Sequence, residues 1–169
     1  YLFRKVNDGF GSGCNAGAEI ATGKYLAFIN PDIIIGENVL LRLYEYMEVN
    51  DRVGLACGSF IDMEGNSMYS YNKFPSYKWE FMQALGAENL IVNKLVVDLK
   101  DKIKKREIVF VDWIYGAFMF VRKDVFDFIK GFDSIFFLYY EDVDFQYRIR
   151  KSGYKIACIT NIQINHFVN

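Results

Sequence analysis

The sequence predicts an α/β fold in which helices flank a mostly parallel sheet. Short, continuously apolar runs alternate along the chain with segments of helical periodicity, and glycines separate the two kinds of segment. The 169 residues are 52% hydrophobic and 24% charged, which provides enough apolar material for one core and excludes a disordered chain. We therefore expect a single domain over residues 1–169.

Two patterns identify the elements in the first part of the chain. Strands buried in a sheet are short and apolar throughout, whereas an amphipathic helix repeats apolar residues every three or four positions. In chain order these patterns predict a short strand over Tyr1–Val6, a glycine-rich turn over Gly9–Gly13, a helix over Asn15–Ala21 ended by Gly23, a buried strand over Tyr25–Ile29, a helix over Glu37–Val49 and a buried strand over Val53–Cys57.

The same patterns continue through the second part of the chain, after a turn predicted at Asp62–Asn66. In order they predict a helix over Trp79–Leu85, a charged loop over Lys100–Arg106, strands over Ile108–Trp113 and Ala117–Val121, helices over Asp124–Ile129 and Glu141–Lys151 ended by Gly131 and Gly153, and a strand over Tyr154–Ile159 that leads to His166. The basic loop at 100–106 is expected to be solvated, with contact to an anionic acceptor or a membrane surface as the alternative.

Charge and cysteine usage exclude several classes of protein. Lys plus Arg number 20 against 21 for Asp plus Glu, so the basic surplus of a nucleic-acid binder is missing. The cysteines Cys14, Cys57 and Cys158 lie far apart without a CxxC spacing, which indicates buried free thiols and a reducing compartment. No apolar run approaches the ~20 residues of a membrane span. Because Tyr1 is not a methionine, we expect a piece of a longer protein.

A glycine cluster near the start is the first motif that could carry chemistry. Gly11, Gly13 and Gly17, followed about twenty residues later by Asp32, are similar to a dinucleotide-binding turn with its ribose-binding acid. The spacing differs from GxGxxG, and the preceding segment 1–6 is too charged for a central strand. A tight loop that allows close helix packing is the simpler interpretation, and a dinucleotide-dependent oxidoreductase is the alternative.

A second motif, Asn30-Pro31-Asp32, directly follows a buried strand. Ligands of open α/β sheets bind at the carboxyl ends of strands, where a carboxylate can hold a hard cation and, through it, phosphates. Taken alone, the motif indicates only a turn with a capping acid. His166, the single histidine, could supply an imidazole to the same cation, although a lone histidine is more often structural.

A third motif places Glu141, Asp142 and Asp144 at the start of a predicted helix, after the aromatic segment 136–140. Acids in a first helical turn complement the helix dipole, so capping alone would explain them. Aromatic walls lower the local dielectric, which raises a carboxylate pKa towards the range of a general base. The cluster therefore has a structural and a catalytic interpretation.

Motifs that occur in one order along nearly the whole chain carry a resemblance to a known family. They are Asn7–Gly11, Asn15–Gly17, Tyr25–Asp32, Val111–Met119, Gly131–Asp133, Phe136–Asp144, Arg148, Gly153–Ile156 and His166. In this order they resemble the family 2 glycosyltransferases of the GT-A fold, and bacterial rhamnosyltransferase-like enzymes in particular. The resemblance implies a Rossmann-like mixed sheet flanked by helices.

The resemblance also implies a role for each matching residue. Asp32 and His166 would hold a divalent cation, Mn or Mg, and Asn30 stands where the family's metal motif has its first acid. The loss of that charge lowers the expected metal affinity. Asp142 would be the general base of the family's Glu-Asp pair, with Glu141 as its neighbour. The remaining matches are expected to contact donor or acceptor: Asn15, Gly17, Asn30, Asp32, Trp113, Gly116 and Ala117.

As a function, the resemblance implies an inverting sugar transfer from a dTDP-, UDP- or GDP-linked donor to a saccharide or lipid-linked acceptor. Such enzymes work in bacterial cell-surface polysaccharide synthesis, in the cytoplasm at the inner face of the plasma membrane, without nucleic acid. In-line attack by an acceptor hydroxyl predicts inversion, with a cation neutralising the leaving diphosphate and a carboxylate taking the proton.

The start of the chain departs from the family pattern. Family members begin with an apolar strand and a Thr/Ser-Tyr-Asn segment that seats the nucleotide base, and neither precedes Tyr1. We therefore expect the first strand or strands to be missing, which would leave a sheet edge through which chains could pair as a homo-oligomer. A noncatalytic carbohydrate- or partner-binding remnant of the same fold is the alternative function.

Overall fold

A computed structural model describes residues 2–74 and 107–167 of the chain. Its helices are α1 (Phe10–Ile20), α2 (Val39–Glu48), α3 (Lys123–Phe128) and α4 (Glu141–Lys151). Its strands are β1 (Tyr25–Ile29), β2 (Ile33–Ile35), β3 (Val53–Ile61), β4 (Tyr71–Asn72), β5 (Ile108–Val111), β6 (Trp113–Ile114), β7 (Phe118–Arg122) and β8 (Lys155–His166). The predicted helix over 79–85 and charged loop over 100–106 lie outside the described residues.

The main sheet has six strands and mixed direction. Its order is β1-β7-β3-β8-β2, with β5 also paired to β8, and β4 pairs with β6 in a separate two-stranded sheet. Among the described residues only the β3–β8 pair is parallel, so the mostly parallel sheet expected from the apolar runs is wrong, whereas the mixed sheet implied by the family resemblance is confirmed. The apolar runs correctly indicated burial, but burial does not determine the direction in which a neighbouring strand runs.

The core lies on the central strands of this sheet. All five residues of β7 and the first eight of β3 are buried, as expected for strands covered on both faces. From α2, Leu43 and Met47 are fully buried, while Leu40 and Tyr44, which share the predicted apolar stripe, stay partly exposed. Phe132 stacks on Phe145 of α4, with ring centroids 4.3 Å apart. This aromatic contact fixes the loop before α4 against the core.

The N-terminal segment differs from its prediction. Residues 2–9 contain no strand, and α1 begins at Phe10, so Gly11 and Gly13 lie inside a helix. Gly9, with φ of 99°, lies so close to the backbone of Phe137 that an added Cβ would come within 2.2 Å of its carbonyl oxygen. The glycine therefore serves close packing. The helix ends at Ile20, and Gly23 takes no part in its cap.

The strand predicted over Ile108–Trp113 is divided into β5 of the main sheet and β6 of the two-stranded sheet, and β4 was not predicted; the other elements differ from the sequence prediction mainly in length. The Asp62 carboxylate accepts hydrogen bonds from the backbone of Glu64 and Asn66, which confirms the predicted turn. The short strand β2 was not predicted, and β8 continues to His166 because exposed polar residues alternate with buried isoleucines along its second half. All three cysteines are free thiols; Cys57 and Cys158 are buried as predicted, whereas Cys14 is only partly buried.

Candidate active site

A cavity of about 610 Å³ lies where the ends of β1, β6 and β8 meet the start of α4. Side chains from the two-stranded sheet and from the loop before α4 close its sides. Of the predicted site residues, this cavity is lined by Asn30, Trp113, Gly116, Ala117, Glu141, Asp142 and His166. The fold thus brings together residues that lie in four separate parts of the sequence.

Asp142 is held in this cavity by two backbone amides. Its Oδ2 accepts a hydrogen bond from the Gly116 N–H at 3.0 Å, and its Oδ1 accepts one from Val143 at 2.9 Å. A Cβ added to Gly116 would lie 2.9 Å from Asp142 Oδ2, so only glycine allows this approach. Burial raises the pKa of the Asp142 carboxyl, and the amide hydrogen bonds oppose that rise. The result is an oriented carboxylate of increased basicity.

Gln146 supports this arrangement and was not singled out by the sequence analysis. It is fully buried; its Oε1 accepts a hydrogen bond from the Ile114 N–H, and its Nε2 donates one to the Ile114 carbonyl, both at 2.7 Å. This pair of bonds fixes β6 against α4, and Gly116 follows two residues later. The signal was available, because Gln146 is four residues after Asp142 and such residues share one helix face.

Glu141 occupies a different environment from its neighbour. It is only 6% exposed, and its Oε2 is buried without a hydrogen-bond partner among the described residues. Burial raises the pKa of the Glu141 carboxyl. Its Cβ lies 3.7 Å from the position of a Cβ built on Gly11, so the side chain packs beside α1. Burial, with a further contribution from the Glu141 charge, raises the pKa of Cys14 to about 12.

Asp32 does not line this cavity but lies next to His166, which does. β2 pairs with the end of β8, with Ile33 opposite His166, and the Asp32 carbonyl accepts a hydrogen bond from the Phe167 N–H. As a result His166 Nε2 lies 3.5 Å from Asp32 Oδ2. Asp32 Oδ1 is buried and has no hydrogen-bond partner in the part of the chain that the structure describes. A carboxylate and an imidazole are thus adjacent, as a shared cation would require.

The donor set fits a divalent transition ion better than magnesium, because an imidazole nitrogen suits transition metals and a carboxylate oxygen suits Mn²⁺. Within residues 2–74 and 107–167 no group of three or more His, Cys, Asp or Glu side chains could hold a metal. Asp32 and His166 would therefore supply only part of a coordination shell, consistent with the neutral Asn30 beside them.

Trp113 forms an aromatic wall of the cavity. Its indole N–H donates a hydrogen bond to the Lys73 carbonyl at 2.8 Å, which ties it to the end of the two-stranded sheet. Its ring lies 4.9 Å from that of Tyr115, centroid to centroid. Ala117 lies beside the wall, and its carbonyl accepts a hydrogen bond from Asn30 N–H, which joins β1 to β7 at the cavity.

The structure places Asn15 and Gly17 away from this cavity. The Asn15 side chain accepts a hydrogen bond from the Phe132 N–H and donates one to the Phe132 carbonyl, both at 2.8 Å. Its polar atoms therefore hold the loop before α4. Gly17 lines a separate cavity of about 620 Å³ between α1 and β1, and a Cβ there would meet nothing within 4 Å.

Comparison with known sequences identifies the family. A family model described as glycosyl transferase family 2 matches residues 1–126, about three quarters of the chain. The chain belongs to glycosyl transferase family 2. This membership makes it an enzyme of the glycosyltransferase class and excludes the alternative of a dinucleotide-dependent oxidoreductase. The glycines that suggested that alternative, Gly11 and Gly13, lie within α1.

Relatives of this glycosyltransferase carry sugar-transfer activities in their names. The rhamnosyltransferase WbbL of Escherichia coli K12 is 30% identical over 88% of this chain and 54% of its own length. The low-salt glycan biosynthesis hexosyltransferase Agl10 of Haloferax volcanii is 22% identical over 93% of this chain and 48% of its own. The chain thus spans about half the length of these two relatives.

A shorter match and a solved structure complete the comparison. The N-acetylglucosaminyl-diphospho-decaprenol L-rhamnosyltransferase of Mycobacterium tuberculosis H37Rv is 34% identical over 33% of this chain and 18% of its own. The crystal structure of GalNAc-T7 with UDP, GalNAc and Mn²⁺ superposes with a TM-score of 0.70, covering 99% of this chain and 32% of that one at 11% identity. This likeness confirms the predicted GT-A fold.

The sequence analysis predicted that no segment is long and apolar enough to span a membrane. None of those in residues 2–74 and 107–167 is long and apolar enough to cross a membrane.

Proposed function

We propose that this family 2 glycosyltransferase moves a hexosyl residue, rhamnosyl first among the candidates, from a nucleotide diphosphate to an acceptor hydroxyl with inversion. The observation that carries the proposal is the carboxylate of Asp142, held by the amides of Gly116 and Val143 in a cavity that also contains His166. We further propose that residues 1–169 form one transferase domain.

Asp142 is proposed as the general base. As the acceptor oxygen attacks the anomeric carbon, its proton passes to the Asp142 carboxylate, and the bond to the leaving diphosphate breaks on the opposite face. Direct displacement without a covalent intermediate gives inversion. The burial that raises the pKa of Asp142 makes it a better proton acceptor than an exposed aspartate. Glu141 is buried beside α1, and we propose that it shapes the same catalytic edge.

Asp32 and His166 are proposed to hold a divalent cation, with Mn²⁺ favoured by the donor chemistry. When bound, such a cation neutralises negative charge on the departing diphosphate. Asn30 lies in the same cavity and offers an amide where a second carboxylate would bind the cation more strongly. We therefore propose a metal requirement weaker than that of a site with two acids, and donor contacts from Asn30, Asp32 and Ala117.

The relatives guide the choice of substrates to test. Two of them are named as rhamnosyltransferases, and one of these two, the mycobacterial enzyme, is also named for the lipid-linked N-acetylglucosaminyl-diphospho-decaprenol. The structure of GalNAc-T7 was solved with UDP. We propose a dTDP-, UDP- or GDP-sugar donor and a saccharide or lipid-linked acceptor, in cell-surface polysaccharide synthesis at the inner face of the bacterial plasma membrane. Trp113 and Gly116 are proposed to border the sugar and the acceptor.

The test compares the wild-type chain with Asp142→Asn. Thermal shifts with UDP-, dTDP- and GDP-sugars, each with and without Mn²⁺ or Mg²⁺, first identify the donor that binds. Transfer from that donor is then expected to fall by at least about a hundredfold in the variant, the usual scale of general-base catalysis, while the thermal shift persists. Asp127→Asn, an exposed acid that pairs with Lys123 on α3, is the control.

The outcomes separate the transferase from its alternative. Equal transfer by Asp142→Asn and wild type would overturn the assignment of the base. Saccharide binding by the wild type without nucleotide-sugar binding or transfer would favour a noncatalytic carbohydrate-binding remnant.

A further inference from the structure

A third cavity, of about 280 Å³, adjoins the active-site cavity of about 610 Å³ and is called the smaller cavity below. Tyr140 and Val143 line both cavities, so these two side chains form the boundary between them. The other lining residues of the smaller cavity are Phe74, Phe136, Asp144 and Tyr147. The sequence analysis placed Phe136 and Tyr140 in the aromatic segment before the acidic cluster and Asp144 in that cluster, but it singled out neither Phe74 nor Tyr147.

The helix α4 builds one wall of this cavity by its periodicity. Val143 lies four residues before Tyr147 and Asp144 three residues before it, which places these three on one helix face, and Tyr140 lies at the residue just before the helix begins. Phe74 closes the opposite side, with its ring edge-on to Tyr147 at 5.4 Å between centroids. The Phe74 N–H donates a hydrogen bond to Asp112 Oδ2 at 3.2 Å, so the wall is anchored beside the two-stranded sheet.

The backbone at the boundary adopts an unusual conformation. Tyr139 and Tyr140 have φ of 67° and 65°, in the left-handed region that residues other than glycine rarely adopt. Such conformations persist where the surrounding structure holds them, commonly at ligand sites. Tyr139 and Tyr140 are 74% and 64% exposed, and both line the active-site cavity.

The chemistry of the lining favours a neutral, hydroxylated ligand. Phe74 and Tyr147 offer aromatic surface suited to the apolar face of a sugar ring, and the tyrosine hydroxyls can form hydrogen bonds with its hydroxyls. The described lining contains no Lys, Arg or His. The nearby Arg148 is already engaged, because it pairs with Asp144 at 2.8 Å and donates to the carbonyls of Ile129 and Gly131. A diphosphate or phospholipid headgroup would face a carboxylate with no free cation in this lining.

We propose that the smaller cavity binds the second sugar ring of a saccharide acceptor, next to the ring whose hydroxyl reacts at Asp142. This inference rests on the proposed transferase function. Tyr140 and Val143 line both cavities, so a saccharide with one ring in the active-site cavity extends past these two side chains into the smaller cavity. The chain therefore selects acceptors that carry at least two sugar rings.

The test measures binding of the full chain to an array of immobilised neutral glycans. Each sugar is present as a one-ring glycoside and as the matching two-ring glycoside, and spots of undecaprenyl phosphate probe the lipid alternative. The variants are Tyr147→Ala, Tyr147→Gln and Tyr147→Phe, at a side chain that is half exposed and therefore replaceable. Tyr44→Ala, which removes a comparably exposed tyrosine from α2, is the matched control.

At least one two-ring glycan is expected to bind about tenfold more tightly than its one-ring partner, a difference of about 1.4 kcal/mol. Tyr147→Ala and Tyr147→Gln are expected to abolish this preference for two-ring glycans. They leave the binding of one-ring glycans unchanged, because only the second ring contacts the smaller cavity. Tyr147→Phe and Tyr44→Ala keep the preference. Equal binding of one- and two-ring glycans, absence of binding to every neutral glycan, or a ratio unaffected by Tyr147→Ala would overturn the proposal.

Two further outcomes are informative. Retention on undecaprenyl phosphate that is lost in Tyr147→Ala would assign the cavity to a lipid phosphate and overturn the saccharide proposal. The array requires neither donor nor transfer, so its result is independent of the proposed function. A two-ring preference without nucleotide-sugar binding would leave a saccharide site in a protein that is not an active transferase.

Discussion

At the scale of single residues, the two adjacent acids at the start of α4 show how environment separates similar side chains. Asp142 lines the active-site cavity and accepts two backbone hydrogen bonds, whereas Glu141 packs beside α1 with one buried, unpartnered oxygen among the described residues. Burial raises the pKa of both carboxyls. Only Asp142 combines that rise with a fixed orientation, which is what a general base requires.

The raised pKa of Asp142 predicts the acid limb of the pH–activity profile. A carboxyl with a raised pKa keeps its proton to a higher pH, so the reactive ionised form is lost as pH falls through a value above the ordinary 3.8. We expect kcat/KM for transfer to decline on acidification with a midpoint above that value, while donor binding followed by thermal shift changes less. An acid limb at or below 3.8 would contradict the assignment.

The same pKa shift has a consequence for stability. Because the folded protein binds this proton more tightly than the unfolded chain, ionisation of Asp142 lowers the free energy of unfolding as pH rises through the interval above 3.8. The site is therefore maintained at neutral pH at some cost in stability, which the surrounding core must offset.

At the scale of elements, α4 organises the site through its contacts with the strands that cross its start. Gln146 fixes β6 at Ile114, and the following turn brings the Gly116 N–H to Asp142. Tyr147 of α4 and Tyr140, just before the helix, line the smaller cavity. One helix thus presents both the proposed base and the proposed acceptor contacts.

The close approach of the β6–β7 turn to α4 predicts the effect of Gly116→Ala. The new Cβ would lie 2.9 Å from the Asp142 Cβ and Oδ2, so the carboxylate must move. We expect kcat/KM to fall by about a hundredfold, since displacement of a catalytic group by about 1 Å has that effect. Overpacking is expected to lower stability by about 1–3 kcal/mol.

Gly36→Ala is the control for this variant, because a Cβ at Gly36 would meet nothing within 4 Å. The measurements are transfer kinetics and thermal unfolding for both variants. Full activity in Gly116→Ala would show that the Gly116 amide and the position of Asp142 do not limit transfer.

At the scale of the whole molecule, the sheet joins two parts of the chain at the proposed metal site. Asp32 directly precedes β2, β8 ends at His166, and the antiparallel register of the two strands sets the 3.5 Å approach of the two side chains. The His166 ring also packs 5.3 Å from Phe60, centroid to centroid, at the end of β3. The position of the imidazole is therefore determined by three strands together.

This arrangement predicts the metal dependence of donor binding. In Asp32→Ala and in His166→Ala, the Mn²⁺ concentration for the half-maximal donor-induced thermal shift is expected to rise at least about tenfold, equivalent to about 1.4 kcal/mol. Asp51→Ala is the control, since the Asp51 side chain is 95% exposed. An unchanged Mn²⁺ titration in either site variant would remove that residue from the proposed metal site.

The sequence by itself determined the α/β class, most helices and strands, and the family, because apolar periodicity records burial and an ordered set of motifs records ancestry. It also predicted Glu141–Lys151 as a helix and Asp142 as the base candidate. It could not place Gly11 and Gly13, whose flexibility suggested a turn although close packing puts them in a helix.

Only the tertiary structure decided which strands are antiparallel and that Asp32 lies next to His166. It also decided that Asn15 holds Phe132 instead of facing the active-site cavity. It also revealed Gln146 and the aromatic cavity beside the site. The physical reason is that these features depend on contacts between residues distant in sequence. Local pattern indicates which face of an element is buried, but the pairing of elements determines which side chains meet.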